Sequence, residues 1–485
     1  MMRINPRRFF SRAWRRVGGP SVDRPHWRRE GNQSSADADA ESALATLRAD
    51  GRQRFRLLAD LIRNRPEAFL FELALFKESL ANRLKVEDAF NLVRVLLKFP
   101  ETARVEKRPV RSLVEVARTE AAMFHDLAPG GVTFTVRPPK VFGCGDHRPI
   151  DCVTRSLYVA CLEDASVRGR SSFISFRDAE LLDFEGGELA RAEERFASDP
   201  PVLQGSMESV WIRAPAPADL TLDRAFTLLG PMSPQFGHWM WEYIPKYAAA
   251  LRAADIDTAP VLIDAHMPAT HRQFLRMLLP SSTELIEVPY SASVRVGRLW
   301  CAPRLSFFPV FPRNFDLARA PDRAAPPERF AAAVREIWRR LDLNRERAAA
   351  GSERVFLARK PEQNHKLREQ EEIEECARRR GFAIVYAQDL DFAEQVALMQ
   401  TARHVVGPTG SAIWLSYLAR PGAKLCILQS EKTYRATTWT GLMEELGVDV
   451  SIVTGPTVEE QFVPHHADYS IPARTVVEFL DGWLE

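Results

Sequence analysis

The sequence is poor in cysteine, with six in 485 residues, at 144, 152, 161, 301, 376 and 426. No two share a Cys-x-x-Cys spacing and no histidine pair completes a metal signature. The expectation is free thiols, several of them buried, and no bound metal. Long apolar runs are missing too. Without eighteen consecutive apolar residues there is no transmembrane span, and the basic N-terminus has no apolar stretch that would make it a secretory signal. A strong net charge is absent: 66 Lys and Arg against 64 Asp and Glu leave +2, which gives no case for nucleic-acid binding by the whole chain. Nor does a Gly-x-Gly-x-x-Gly turn follow an early strand, which weighs against a dinucleotide-dependent oxidoreductase.

What is present suits a soluble globular protein, at 46% hydrophobic and 27% charged residues. The length is too great for one core and predicts two or three domains. Charge is uneven: the first thirty residues hold nine arginines against Asp23 and Glu30. Residues 1–40 lack periodicity and read as a disordered basic arm. It resembles a transit peptide faintly, would suit peripheral contact with anionic membrane, or is simply an untidy terminus. The protein is expected in the cytoplasm, either free or membrane-peripheral.

Over 41–127 apolar residues recur at helical spacing, as in Phe55, Leu58 and Leu61, or Phe69, Leu73 and Phe76. Pro66 sits near a helix start and Pro100 just after a helix end, which predicts a module of about four helices. After Pro129-Gly130-Gly131 the period changes to short strands (132–136, 157–162, 165–167, 172–176 and 179–183). Strands at 224–230, 260–264, 285–288 and 294–300 then alternate with helices, as βαβ units of a parallel sheet do. This first α/β domain, 128–325 with a β-rich opening, ends in the proline-rich stretch 303–327. A second, 326–485, has strands at 354–358, 382–386, 404–406, 424–428 and 448–453, alternating with helices in the manner of a doubly wound sheet. Ligands of such sheets bind beyond the carboxyl ends of the strands.

Three constellations carry chemistry. Strand His404-Val405-Val406 runs into the turn Gly407-Pro408-Thr409-Gly410-Ser411 and then a helix, an order that aims backbone N–H groups at an anion; an ordinary strand-to-helix turn is the alternative. Arg359 and Lys360 close the domain's first strand and face the same crevice, where a guanidinium fork and an ammonium suit a diphosphate without a metal; exposed surface charge is the alternative. In the other domain, Gly237-His238-Trp239-Met240-Trp241-Glu242 puts a histidine and a glutamate on one helical face, either able to take a proton from a hydroxyl. Its plainer reading has the aromatics in a core, His238 capping the helix and Glu242 solvated.

At these residues the sequence resembles glycosyltransferase family 61, the DUF563 group that includes bacterial capsular-polysaccharide proteins. The resemblance runs through Phe236–Pro245, Phe356–Lys360, Gly381-Phe382, Asp391–Gln395, Ala402–Ala412 and Pro421-Gly422, within roughly 155–455. Two positions depart from it: Thr409 stands where the family has histidine, and the family's Asn-Glu pair falls near Glu369-Gln370. The resemblance implies a GT-B-like α/β fold, two Rossmann-like domains facing across a cleft, here preceded by the helical module. It implies inverting, metal-independent transfer of a sugar from a nucleotide-sugar donor to a glycan or other hydroxyl acceptor, in polysaccharide or capsule biosynthesis. The nucleotide-sugar is a co-substrate and no cofactor is expected. His238 would be the base, with Glu242 orienting or replacing it, while Arg359, Lys360, Gly407, Thr409, Gly410 and Ser411 hold the donor diphosphate. An inactive GT-B relative serving as a binding or assembly subunit, marked by Thr409, is the alternative; an adaptor built on the helical module is a third.

Overall fold

A computed structural model describes residues 49–485 except 65, 82, 144–148, 186–198, 207, 255, 266, 308–321, 325, 344–351, 361–366, 432–437 and 459–466. The basic arm over 1–40, Cys144 and the middle of the proline-rich stretch lie outside the described residues.

Helices Ala49–Asn64, Pro66–Ala81 and Val86–Leu96 come first, with Pro66 at a helix start as the sequence predicts. They are not a separate module. Leu58, Leu73, Phe76 and Phe90 share one buried cluster with Leu203, Phe226 and Trp239. Lys77 is held inside this junction, where its Nζ donates to the Asp199 carbonyl at 2.6 Å; burial pulls its pKa down.

The helical reading of 41–127 fails at its end. Strands β1 (Val105–Ser112) and β2 (Met123–Ala128) flank the short helix Leu113–Glu120. β1 lacks an apolar alternation because Arg108 faces inward, its Nε 2.9 Å from the fully buried Glu180 carboxylate. A buried ion pair takes the place of a hydrophobic contact, so the strand period is invisible in the sequence.

The chain continues through β3 (Thr133–Val136), β4 (Lys140–Phe142), β5 (Ile150–Thr154), β6 (Leu157–Arg168), β7 (Ile174–Phe176), β8 (Ala179–Leu182), β9 (Val202–Gly205), β10 (Ser209–Arg213) and β11 (Leu220–Thr227). Then come β12 (Val261–Asp264), β13 (Leu285–Val288), β14 (Ser293–Cys301), β15 (Ser306–Phe307) and β16 (Asp322–Ala324). Eleven strands form one sheet in the order β13-β12-β11-β14-β6-β7-β8-β1-β10-β9, with β2 beside β6. Its block β13-β12-β11-β14 is parallel, as the βαβ reading requires. β15, β16, β5 and β3 form a separate four-stranded sheet.

The later strands β17 (Arg354–Leu357), β18 (Ala383–Val385), β19 (His404–Pro408), β20 (Lys424–Ser430) and β21 (Asp449–Gly455) alternate with helices. They line up as β18-β17-β19-β20-β21, all parallel, a doubly wound order. One strand of this sheet comes from elsewhere: β4 pairs in parallel with β21 at the edge. The sheet therefore extends beyond 326–485, and three residues of the range 128–325 belong to it. Among the described residues no helix is long and apolar enough to cross a membrane.

Candidate functional site

Each parallel block has one point where the winding reverses, between β11 and β14 in the first and between β17 and β19 in the second. Residues just past the carboxyl ends of those strands border a crevice. The sequence candidates fall at these two points.

At the second, Arg359 follows β17 and its Nη1 donates to the Thr409 carbonyl at 3.0 Å. The Nη1 end of the guanidinium lies against Gly410, where an added Cβ would come within 1.6 Å of Nη1. At Gly407 a Cβ would meet the Leu357 carbonyl at 2.7 Å, so β17 and β19 approach too closely there for any side chain. Burial disfavours the charge on Arg359 and lowers its pKa, with Tyr469 acting the other way. Gln370 Nε2 braces the Arg359 carbonyl at 2.7 Å. Glu369 instead accepts from Ser470 Oγ (2.5 Å) and the Ile471 amide (3.0 Å). Lys360 does not share Arg359's orientation: its ammonium sits 2.5 Å from Asp389. The Thr409 amide is committed to the Leu428 carbonyl at 2.7 Å.

The segment Ser411–Leu418 is a 3-10 helix, not the α-helix its sequence suggests. Three residues per turn place Ser411, Trp414 and Tyr417 on one edge, and each meets the His238 segment of the first block. A Cβ on Gly237 would lie 3.1 Å from Trp414 Nε1 and 3.2 Å from Ser411 Oγ. Trp414 packs on Trp241 with centroids 5.1 Å apart, and Tyr417 donates its hydroxyl to Met240 Sδ at 3.5 Å. An α-helix would rotate these three residues off a common line. The opposing segment is irregular too, since Trp239–Tyr243 is a π-helical turn inserted before helix Ile244–Ala253.

Within that turn the aromatics are buried, as the plainer reading expects, but Glu242 is only 1% exposed and not solvated. His238 makes no side-chain cap. Its Nδ1 stands 3.3 Å from Glu242 Oε1, and the ring keeps 19% exposure. The other carboxylate oxygen lies 3.7 Å from Arg304 Nη1. Arg304, just past β14, is fixed by Asp183, which accepts from its amide at 2.9 Å and from its Nε at 3.2 Å. Asp183 also accepts from Arg155 Nη2 at 2.7 Å, and Arg155 reaches on to the Arg304 carbonyl. A buried charge relay thus runs from His238 through Glu242, Arg304 and Asp183 to Arg155. Removing one member of such a chain strands its partner's charge, at about 3–5 kcal/mol. Behind His238, the loop leaving β11 is pinned by Asp264, which accepts from the Gly230 amide (3.0 Å), Ser233 Oγ (2.5 Å) and the Arg170 amide (2.5 Å). Burial raises the Asp264 pKa to about 6, against these bonds and the nearby Arg170 charge.

Residues 236–426 match the family model described as Glycosyltransferase 61. This region is a glycosyltransferase 61 domain. The match starts at Phe236, on the threshold of the His238 turn, and ends at Cys426 within β20; it takes in His238, Glu242, Arg304, Arg359 and the Thr409–Ser411 turn, and leaves β1–β11, with Arg155 and Asp183, outside. No curated protein matches the sequence.

The segments that resemble other glycosyltransferases divide by role. Asp391–Gln395 is structural: Asp391 and Glu394 form a capping box with both bonds at 2.8 Å. Phe392 stacks on Phe274 at 4.1 Å, joining the two parallel blocks. Gln395 Nε2 donates to the Ala387 carbonyl at 2.8 Å. The His238 turn and the Arg359–Ser411 turn, by contrast, place polar groups where the blocks meet. The residues invisible to sequence reasoning are Asp183, Arg304 and Arg155, distant in the chain, and Trp414, whose 3-10 placement no α-helical reading foretells. Among the described residues no group of three His, Cys, Asp or Glu could hold a metal ion.

Proposed function

We propose that this glycosyltransferase moves a sugar from a nucleotide-sugar to a hydroxyl of a glycan acceptor, inverting the anomeric centre and using no divalent metal, on two Rossmann-like halves in a GT-B arrangement. The acceptor oxygen bonds to the anomeric carbon as the bond from that carbon to the diphosphate breaks. The hydroxyl proton passes to His238 Nε2, and the nucleoside diphosphate leaves with the electron pair. Glu242 faces Nδ1 and stabilises the imidazolium that forms. Arg359 and the Thr409-Gly410-Ser411 turn take the diphosphate; a guanidinium partly stripped of water gains most from an anionic partner. Lys360, turned to Asp389, is left at the rim. A role in polysaccharide biosynthesis agrees with the family resemblance.

The observation that carries the reading is the contact of Gly237 with Ser411 and Trp414, which brings a base candidate on one block beside an anion turn on the other. The test is release of nucleoside diphosphate from a panel of UDP-, GDP- and dTDP-sugars, since donors are slowly hydrolysed without acceptor. Turnover of one donor, lost in Arg359→Ala and unaffected by EDTA, is expected. Turnover of none, or turnover abolished by EDTA and restored by Mg2+ or Mn2+, sinks the proposal.

A further inference from the structure

His238, Glu242 and Lys246 recur at four-residue spacing, which stacks them along one helical face. The first two belong to the proposed chemistry; Lys246 does not. It is 8% exposed, and it makes no hydrogen bond or ion pair among the described residues. Its one contact of note is the Tyr243 ring, whose centroid is 5.2 Å from Nζ. A buried ammonium without an acceptor is rare, because the desolvation cost goes unmatched; burial accordingly lowers its pKa, with Asp183 the largest opposing influence. The nearby carboxylates are engaged elsewhere, Asp183 by Arg155 and Arg304, Glu242 by His238 and Arg304, and Asp264 by backbone amides and Ser233.

Lys246 faces a cavity of about 40 Å³ that Arg304, Asp183, Ser171, Ser172 and Thr227 also line. Thr227 ends β11 and Arg304 follows β14, so the cavity lies at the winding reversal of the first block, where such sheets bind ligands. A water occupies roughly 10–15 Å³ of such space, so the room suits a group of carboxylate size and not a whole sugar ring. Among the lining residues two cations, Lys246 and Arg304, stand against one carboxylate, with Glu242 a further counter-charge behind Arg304, which suits a monoanion better than a phosphate dianion. Arg304 connects the cavity to Glu242, and so to His238, through the 3.7 Å ion pair.

We infer that Lys246 and the cavity it shares with Arg304 form a subsite for the carboxylate of an acidic sugar in the acceptor, beside the base that activates its hydroxyl. This rests on the proposed transferase reading for the word acceptor; the carboxylate subsite itself stands on the cavity. Serine and threonine hydroxyls around it supply donors to the carboxylate oxygens, while the ring stays outside, towards His238.

Calorimetry on the full chain tests this with glucuronic, galacturonic and mannuronic acids, the matching neutral hexoses, the hexuronamides and inorganic phosphate. At least one hexuronic acid should bind tenfold or more tighter than its hexose and its amide. Lys246→Met should erase that preference and Lys246→Arg retain it. Equal binding of acid and hexose, no binding of any acid, a preference that survives Lys246→Met, or phosphate outcompeting every acid overturns the inference. Should Lys246→Met fail to fold, the acid-against-amide comparison on the unmodified protein decides. A parallel titration with UDP, GDP and dTDP separates the two readings. Acid binding without nucleotide binding retains the subsite and removes the transferase mechanism, and the reverse removes only the subsite.

Discussion

His238 acquires its proposed role from residues far away in the chain. Its partner Glu242 is buried, with Arg304 Nη1 3.7 Å from its second carboxylate oxygen. His238→Ala should therefore lower transfer by about 10²–10⁴-fold, with nucleoside diphosphate affinity unchanged by calorimetry. Gly410→Ala is a sharper probe of the opposite wall: a methyl group there occupies the place of the Arg359 guanidinium. Losing a charge-assisted contact of about 1.5–3 kcal/mol should weaken diphosphate binding ten- to hundredfold, while the melting temperature changes little because the displaced group is the end of a flexible side chain. Asp264 gives a pH signature. Its folded pKa, near 6, exceeds the ordinary 3.8. The stability tied to its protonated form is thus present at low pH and lost as pH rises through about 6. Relative to Asp264→Asn, the native protein should lose about 1.4 kcal/mol between pH 5 and pH 8, as read from urea midpoints.

At the scale of elements, the alternation of apolar strands and amphipathic helices from β11 onward was legible, because parallel strands buried on both faces are continuous apolar runs and their crossovers carry helical periodicity. From β11 onward, the places where the period misled are those where packing across the two blocks overrides local preference. Ser411–Leu418 has α-helical composition but coils as a 3-10 helix to set Ser411, Trp414 and Tyr417 against Gly237, Trp241 and Met240. Trp239–Tyr243, apolar almost throughout, conceals its π turn for the same reason. Sequence showed the His238–Glu242 pair and the cations after β17, since both are local patterns. It did not show Arg304, Asp183 or Lys246 as parts of one site, since only the folded sheet brings them together. The packing between blocks should also be measurable. Phe392→Ala removes the ring stacked on Phe274 and should cost about 3–5 kcal/mol in chemical denaturation. Diphosphate affinity should persist under denaturant-free conditions.

For the whole molecule, the helices before β1 share one buried cluster with Leu203, Phe226 and Trp239, so the sequence picture of a helical module is replaced by helices packed into the core of the neighbouring sheet. The sequence could not show this, because the faces that contact β9 look like any amphipathic stripe. Ligand binding at a site contributed by both blocks should stabilise the molecule as a unit. A nucleoside diphosphate at a hundred times its dissociation constant raises stability by about 2.7 kcal/mol. A single cooperative transition that shifts upward as a whole is the expected melting profile; two transitions of which only one moves would contradict a shared core.

The short strand β4 bears on how the chain assembles during synthesis. It leaves the ribosome some three hundred residues ahead of β21, the partner it pairs with, and Lys140 waits as long for Asp449. Until then the last sheet has no edge for it to join, and afterwards it closes an edge that would otherwise offer unpaired amides and carbonyls to neighbouring chains. A nascent protein stalled before residue 449 should thus hold this strand accessible to protease, and the stretch 326–485 expressed alone should aggregate through the side that β4 normally seals.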